Sequence, residues 1–367
     1  MDAKTRERYS RQILFADIGE AGQERLRESS AAVVGCGALG TALANLLVRA
    51  GVGRLRIIDR DFVEESNLQR QTLFEESDAR DALPKAVVAE RRLAAINSDV
   101  KVEGVVADLT AKNAGDLLGG FPLLLDGADN FETRLLVNDY AVKGGVPWVY
   151  AAVVASYGVA MAIRPGETAC LACLTETDEA AEAGEAGARH SATTGDENGS
   201  SRLVAAPGTQ ATCDTVGVLG AAAGVIASIE AALAIKLLLG KRQALDDRLV
   251  SFDVWTGRSQ AIRVGRRPDC RACGRRDFRY LAGEAQPHVT MCGRDSVQIH
   301  ERRRRLDLAE LGRNLAAGGG EVRHNEFLLR FRVPPYEVTV FADGRAIIKG
   351  TRDPAVARSL YARYVGA

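Results

Sequence analysis

A glycine-rich turn between an apolar run and a helical stretch constrains the fold of this chain more than any other feature. Residues 31–40 read AAVVGCGALG, and a helix-forming stretch follows over residues 41–50. Glycines leave the backbone uncovered where a strand turns into a helix, so its N–H groups can approach a phosphate or a ribose. We therefore predict a nucleotide-binding turn at Gly35, Gly37 and Gly40; the simpler alternative is a tight turn without a ligand.

The segment after this helix adds an acid at the expected place. Residues 54–59 (RLRIID) predict a second strand that ends at Asp59, about twenty residues beyond the glycines, where an acid commonly binds a ribose hydroxyl. The glycine turn and this acid together fit NAD as well as they fit ATP.

Strands and helices continue to alternate, which predicts an α/β fold with a doubly wound, Rossmann-like, mostly parallel sheet. A strongly apolar helix over residues 216–239, kinked or split near its glycines, is expected in a core or a subunit interface. The further predicted elements are a helix over 84–96, strands over 100–106 and 121–125, and two strands over 147–155 and 158–164 in a mixed-direction half of the sheet.

At 367 residues the chain is expected to form one large domain and one small one. We place the large domain at residues 1–280, with a mobile loop at about 175–212, where large apolar residues are scarce. We place a small α+β domain at residues 290–367. Its predicted order is a strand over 296–300, a helix over 308–315, strands over 326–333, 337–341 and 346–349, and a helix over 354–364.

Charge and the chain start argue against nucleic acid and membrane partners. Lys plus Arg and Asp plus Glu number 48 each, so the chain has no overall charge that would attract nucleic acid or an anionic membrane. The first twelve residues are polar, and the apolar run over 216–239 is interrupted by Glu230 and Lys236. With seven cysteines, an odd number, a reducing compartment is expected, and we predict a cytoplasmic protein.

Four cysteines form two CxxC pairs with metal-ligand spacing. Two thiolates in each pair can converge on one ion, and together they would complete a closed structural Zn²⁺ site. Paired redox thiols or unrelated core cysteines are the alternatives. The predicted ligands are Cys170, Cys173, Cys270 and Cys273; Cys36 and Cys292 are predicted to be packing residues.

Four separated motifs resemble the ThiF/MoeB/HesA family, which is related to ubiquitin-activating enzymes. They are RYSRQ at 8–12, DRDFVEESNLQRQ at 59–71, PK at 84–85 and DGADN at 126–130. The resemblance implies an adenylyltransferase that uses ATP to adenylylate the C-terminal Gly-Gly carboxylate of a ubiquitin-like sulfur-carrier protein (ThiS- or MoaD-like) and releases pyrophosphate. Such a step belongs to thiamine-thiazole, molybdenum-cofactor or tRNA-thiolation sulfur transfer.

The chemistry agrees with that implication. A carboxylate is already ionised, so its attack on the α-phosphate of ATP needs positioning and charge neutralisation more than a general base. By motif, the resemblance assigns the ribose to Asp59, Mg²⁺ to Asp129, and the phosphates to Asn67, Arg70 and Lys85. It also implies a homodimer, since the arginine matching Arg11 reaches the nucleotide of the other subunit. For each cation alone, an ordinary surface charge is the alternative.

Cys213 matches the position of a loop cysteine that can bond to the carrier in family members; packing at the entry to the following helix is the alternative. A cysteine desulfurase or a sulfurtransferase is a further possible partner, and the C-terminal segment could help to dock the carrier. The competing functions are a tRNA-modifying ATP-dependent cyclodehydratase of the same superfamily, an NAD-dependent oxidoreductase, and a carrier-binding scaffold without catalysis.

Overall fold

A computed structural model describes residues 1–176, 216–284, 296–299, 306–317 and 321–366. Cys213, Cys292 and nearly all of the predicted mobile loop lie outside these residues. Two sheets are present in the described part of the chain, one with eight strands and one with five. The strands are β1 (Ser30–Val34), β2 (Arg54–Asp59), β3 (Lys101–Val106), β4 (Leu124–Asp126), β5 (Trp148–Val154), β6 (Tyr157–Ile163), β7 (Arg248–Asp253), β8 (Arg258–Arg263), β9 (Ser296–Ile299), β10 (Val322–His324), β11 (Leu328–Val333), β12 (Tyr336–Phe341) and β13 (Ala346–Lys349).

The large sheet has the order β3-β2-β1-β4-β5-β6-β7-β8. The five strands β3, β2, β1, β4 and β5 are parallel to one another, and β6, β7 and β8 are each antiparallel to their neighbours. The predicted α/β, Rossmann-like, mostly parallel sheet is thereby confirmed, together with its mixed-direction half. The sequence analysis missed β7 and β8.

Helices cover both faces of the large sheet. Alternate residues of β1 point to opposite faces, because side chains of a strand alternate. Ala31 and Val33 join one apolar cluster, and Ala32 and Val34 join the other. The helices are α1 (Ala3–Arg8), α2 (Ser10–Ile13), α3 (Gly19–Glu28), α4 (Ala38–Ala50), α5 (Glu76–Arg80), α6 (Lys85–Ile96), α7 (Ala114–Leu118), α8 (Phe131–Gly144), α9 (Leu171–Thr175), α10 (Gly220–Leu238), α11 (Arg279–Ala282), α12 (Leu308–Ala317) and α13 (Pro354–Tyr364).

The apolar helix α10 is continuous over Gly220–Leu238, and the predicted run over 216–239 is interrupted before it, at residues 217–219, near its first glycines. It begins at Gly220, four residues later than predicted. The helix is long enough and, with a mean hydropathy of 1.8, apolar enough to cross a membrane. However, half of its apolar stretch is buried within the fold. It packs against α4, β5 and β6. Gly158 of β6 allows this close approach, since a Cβ there would lie 2.4 Å from Ile226.

The small sheet has the order β10-β11-β12-β13-β9 and is antiparallel throughout. Its strands enclose an apolar cluster with α12 and α13, which includes Leu329, Val340 and Tyr361. The predicted order of these elements agrees with the structure except for β10, which the sequence analysis missed. That residues 290–367 form a separate domain stays a prediction.

Candidate functional site

A cavity of about 400 Å³ lies at the carboxyl ends of the parallel strands. The strand order reverses between β1 and β4, which is the switch point where doubly wound sheets bind their ligands. The lining comes from the ends of β1 and β2, from the segments that follow β1, β2, β3 and β4, and from residues of β5 and β6. Its polar lining residues include Asp59, Arg60, Asp61, Arg70, Gln71, Lys85, Asp108, Asp129, Asn130, Thr133, Arg134, Tyr150 and Tyr157.

The predicted glycine turn forms the inner edge of this cavity. Gly35 has a φ of +96°, and a Cβ on it would lie 2.2 Å from the carbonyl oxygen of Gly127. Gly40 does not line the cavity; a Cβ there would lie 2.0 Å from the carbonyl oxygen of Gly35. Gly35 and Gly37 both line it. The turn therefore requires glycine both for its backbone conformation and for close packing.

Asp59 lies at the end of β2 and is buried. Its Oδ2 accepts a hydrogen bond from the backbone N–H of Cys36 (2.6 Å), and its Oδ1 accepts one from that of Asp61 (2.6 Å). Burial raises the pKa of Asp59 to about 6, against the opposing charge of Lys85. Since each carboxylate oxygen can accept a second hydrogen bond, the group can still receive ribose hydroxyls.

Lys85 begins α6 and is only 4% exposed. Its Nζ lies 3.3 Å from Oδ2 of Asp61, and its backbone N–H donates to the carbonyl of Asp61 (2.9 Å). Pro84 at the N-cap sets the helix start, so the ammonium group is held at the cavity wall. The predicted Lys85 is thus placed among the lining residues.

Arg60 is a cavity residue that the sequence analysis did not select. Its guanidinium lies 3.0 Å from Oδ1 of Asp108 and 3.9 Å from Oδ1 of Asp61. Burial opposes its charge, but these carboxylates outweigh burial and raise the pKa of Arg60. A third guanidinium, that of Arg134, also lines the cavity. Arg60 follows Asp59 and Arg134 follows Asp126, and both acids belong to predicted motifs. This proximity to motif acids is the sequence signal that could have identified the two arginines.

Of the two phosphate-binding residues predicted in the 59–71 motif, one lines the cavity and the other does not. Arg70 lines the cavity and donates from Nη1 to the carbonyl of Ser66 (2.7 Å). Asn67 is buried and is not a lining residue. Its Oδ1 accepts from the backbone N–H of Glu64 (3.2 Å) and so caps the 3₁₀ turn Glu65–Asn67 that precedes Arg70. Direct phosphate binding by Asn67 stays a prediction.

A buried polar cluster supports the loop after β4. Arg134 donates from Nε to Oδ2 of Asp126 (2.9 Å) and from Nη2 to the carbonyl of Ala128 (2.7 Å). Glu230 of α10 accepts from the backbone N–H of Asp126 (3.0 Å). Burial, and then the charge of Asp126, raise the pKa of Glu230 well above its usual range. These contacts hold the loop that presents Asp129.

Asp129 itself is exposed at the cavity, with a hydrogen bond from Asn130 Nδ2 to its Oδ1 (3.1 Å). Mg²⁺ in nucleotide sites is typically bound by one or two carboxylates together with phosphate oxygens and waters. An accessible carboxylate beside three arginines and a lysine fits that requirement. Arg11, in contrast, is exposed on α2 and does not line the cavity of this chain.

The four cysteines of the CxxC pairs meet in one buried cluster. The Sγ–Sγ distances are 4.0 Å for Cys170–Cys173, 3.7 Å for Cys170–Cys270 and 3.4 Å for Cys173–Cys273. All four sulfur atoms lie within 4.8 Å of one another. A tetrahedral ion with Zn–S bonds of about 2.3 Å requires sulfur atoms about 3.8 Å apart. The donor set and its spacing therefore fit Zn²⁺.

One arginine ties the cysteine cluster to helix α8. Arg271, between the second pair of cysteines, lies 3.0 Å from Asp139 of α8 and 2.9 Å from Glu176. Asp139 is completely buried, so this ion pair needs its full set of partners. An ion bound by the cysteines would join residues 270–273 to residues 170–173 at the start of α9.

Comparisons with known proteins identify a matching family and several relatives of this chain. A model of the ThiF family matches residues 9–272. The sulfur carrier protein ThiS adenylyltransferase of Bacillus subtilis (strain 168) is 43% identical over 363 residues, which cover 98% of this chain and 99% of that protein. The sulfur carrier protein adenylyltransferase of Thermus thermophilus is 37% identical over 73% of this chain and 90% of its own length.

Among solved structures, E. coli MccB crystallised with succinimide is similar to this chain with a TM-score of 0.57 and 23% identity. The match covers 73% of this chain and 74% of that chain. At this identity the likeness concerns the fold alone.

Proposed function

The chain belongs to the ThiF family, and on that premise we propose that it adenylylates the C-terminal carboxylate of a ubiquitin-like sulfur-carrier protein with ATP. The observation that carries the proposal is the switch-point cavity, where Asp59 faces a set of cations and an accessible carboxylate. Among the described residues that line the cavity, none is a histidine. The names of the relatives favour this activity over a tRNA-modifying cyclodehydratase or an NAD-dependent oxidoreductase.

The reaction needs charge neutralisation more than proton transfer. A carrier carboxylate oxygen forms a bond to the α-phosphorus of ATP, the bond from that phosphorus to the bridging oxygen breaks, and pyrophosphate leaves with the electron pair. Arg60, Arg70 and Lys85 would neutralise the developing charge. Asp129 would hold Mg²⁺, which supplies further positive charge to the phosphates when bound. Asp59 would orient the ribose.

We propose a ThiS-type carrier with a Gly-Gly terminus, because the relative that matches this chain over nearly its whole length is named for ThiS. Cys213 would then take part in sulfur transfer, with a cysteine desulfurase or a sulfurtransferase as the donor. The Cys170, Cys173, Cys270 and Cys273 cluster would hold structural Zn²⁺. A cytoplasmic location and the division into domains 1–280 and 290–367 stay predictions.

A homodimer is part of the proposal. Leu14 and Phe15 follow Arg11 closely and are 74% and 59% exposed, which is unusual for large apolar side chains. A partner subunit that covers them would also bring Arg11 to a second protein surface. This is consistent with an arginine that acts on the nucleotide of the other subunit, since Arg11 does not line its own cavity.

Carrier-dependent exchange of label between pyrophosphate and ATP tests the activity. The wild-type protein should catalyse exchange only when a carrier ending in Gly-Gly is present. Arg70→Gln should lower the rate by about a hundredfold or more, as expected for removal of a charge that stabilises the transition state. Arg80→Gln is a matched control, because Arg80 is 73% exposed and does not line the cavity. Exchange that does not depend on the carrier would refute the proposal.

A further inference from the structure

The small sheet contacts three loops that surround the nucleotide cavity. Phe62, just after β2, joins a buried apolar cluster with Leu328, Phe341 and Ile347. Asn325 donates from Nδ2 to the carbonyl of Asp81 (3.0 Å). Gln298 of β9 donates from Nε2 to Oδ2 of Asp108 (2.9 Å), and Asp108 lines the cavity. The C-terminal segment thus lies against the outer side of the nucleotide site.

The contact made by Gln298 continues to a cavity cation. Asp108 accepts the hydrogen bond from Gln298 on Oδ2 and a second hydrogen bond, from Nη1 of Arg60, on Oδ1 (3.0 Å). Gln298 is only 8% exposed, and its backbone is fixed in the sheet by pairing with Ile347. Hydrogen bonds to a carboxylate are stronger than those between neutral groups. Gln298 therefore fixes the orientation of the carboxylate that holds Arg60.

The orientation of Arg60 matters because several carboxylates compete for it. Asp61 lies 3.9 Å from its Nε, and the charges of Asp129 and Asp59 also act on it. An arginine side chain has many rotamers, and a guanidinium that turns toward Asp61 would no longer present the same donors to a ligand. A fixed Asp108 selects one of these arrangements before the nucleotide arrives, which lowers the entropic cost of binding.

A second contact supports the neighbouring loop. Lys349 of β13 donates from Nζ to Oε1 of Glu64 (2.6 Å), at the start of the turn that precedes Arg70. Phe62 lies under two cations of the small sheet, with its ring centroid 4.5 Å from the guanidinium carbon of Arg330 and 5.9 Å from Lys349 Nζ. The small sheet therefore holds the loops after both β2 and β3.

We propose that Gln298 is a positioning residue of the nucleotide site, which acts through Asp108 on Arg60 and makes the C-terminal sheet part of the ATP-binding unit. The identity of the nucleotide rests on the proposed function. This role differs from docking of the carrier, which the sequence analysis suggested for the same segment, because the contacts described here reach the nucleotide cavity.

The test uses the full chain and ATP alone. Gln298→Met keeps a similar volume but removes the donor, and Gln298→Glu places a like charge against Asp108. We expect the ATP Kd from calorimetry to rise about fivefold to tenfold for Gln298→Met, and more for Gln298→Glu. The expected effect is smaller than the full loss of a hydrogen bond to a charged group, because Gln298 acts on ATP only through Asp108 and Arg60. In carrier-dependent exchange, KM for ATP should rise and kcat should also fall, because Arg60 is proposed to neutralise charge that develops in the transition state.

Controls separate positioning from folding. Asn314→Asp makes the same amide-to-carboxylate change at an exposed position of α12 and should leave the ATP Kd unchanged. In a double-mutant cycle, Gln298→Met should have no further effect on ATP binding once Asp108→Asn is present. Equal affinity for ATP in folded Gln298→Met and wild-type protein would overturn the inference, and so would additive effects in the cycle. ATP binding is measured without a carrier. If the protein does not adenylylate a carrier, the proposed function fails, but the ATP affinities and the double-mutant cycle still test the role of Gln298.

Discussion

At the residue scale, the site depends on charged groups whose protonation is set by burial. Asp59 is buried and accepts two backbone hydrogen bonds, yet its pKa is raised to about 6. Burial also raises the pKa of Glu230, which accepts a hydrogen bond from the backbone N–H of Asp126 next to the Asp126–Arg134 ion pair. The sequence predicts Asp59 from its place at a strand end. It did not predict the network of Glu230, because Asp126 and Glu230 are 104 residues apart.

The raised pKa of Asp59 predicts weaker nucleotide binding in acid. The ionised carboxylate accepts ribose hydroxyls best, so the ATP Kd should rise as the pH falls through about 6. The effect of pH on folding stability has the opposite sign. Because the pKa of Asp59 is higher in the folded protein than its ordinary value of 3.8, Asp59 contributes stability that is fully present below pH 3.8 and is lost as the pH rises through 6.

Calorimetry between pH 5 and 8 measures the effect, with Asp59→Asn as the reference because the terminal phosphate of ATP also titrates near 6. The wild-type protein should lose about fivefold more affinity than the variant over the pH unit below 6, because the ionised fraction falls from about one half to about one eleventh. Parallel pH profiles for the two proteins would show that Asp59 does not face the ribose.

At the element scale, the strand that the sequence predicts most directly is β1, an apolar strand with a run of four buried positions. The missed strand β8 is polar and almost wholly exposed at the sheet edge, so it carries no alternation that a sequence pattern could reveal. The three residues of β10 are too few to form a pattern. The turn after β1 was predictable because a side chain is sterically excluded there. At Gly35 the excluding group is the backbone of Gly127.

A methyl group at this turn should disrupt the site. Gly35→Ala places a Cβ 2.2 Å from the carbonyl of Gly127 in a backbone conformation with a φ of +96°. We expect the unfolding free energy to fall by about 2 kcal/mol or more, with ATP binding lost in the folded fraction. Gly115→Ala in α7 is the matched control, since a Cβ there meets nothing within 4 Å. Denaturant titration compares the two, and equal stabilities would contradict the steric account.

The cysteine cluster should behave as a structural metal site. Purified protein should contain one Zn²⁺ per chain by plasma emission spectroscopy, and Cys270→Ser should lose it and melt at a lower temperature by roughly 10 °C or more. Cys36→Ala should retain the metal, because Cys36 lies in the glycine turn and not in the cluster. Full metal content in Cys270→Ser would exclude the four-cysteine site.

At the scale of the whole molecule, the nucleotide site draws on more of the chain than its motifs. Asp108 and Gln298 are 190 residues apart in sequence and belong to different parts of the fold, so no local pattern could join them. The opposite holds for Arg11. Its motif predicts a role at a nucleotide, but Arg11 does not line the cavity of its own chain. A second subunit would resolve this difference.

Mixed dimers test that requirement. Arg11→Ala and Asp129→Ala should each lack exchange activity, because each removes one component of every site. A heterodimer of the two would contain one intact site, so an equal mixture after subunit exchange should recover about a quarter of the wild-type rate. Each variant mixed with itself is the control. No recovery in a mixture with verified heterodimers would place Arg11 at the site of its own chain or outside both.

The central claim is that a carrier carboxylate acquires AMP in this cavity, and the intact mass of the carrier reports it directly. After incubation with ATP, Mg²⁺ and wild-type protein, a carrier ending in Gly-Gly should gain the mass of one AMP, while a carrier shortened by its last glycine should not. Asp129→Asn should greatly reduce the product. A carrier of unchanged mass, under conditions where ATP binding is demonstrated, would contradict the account.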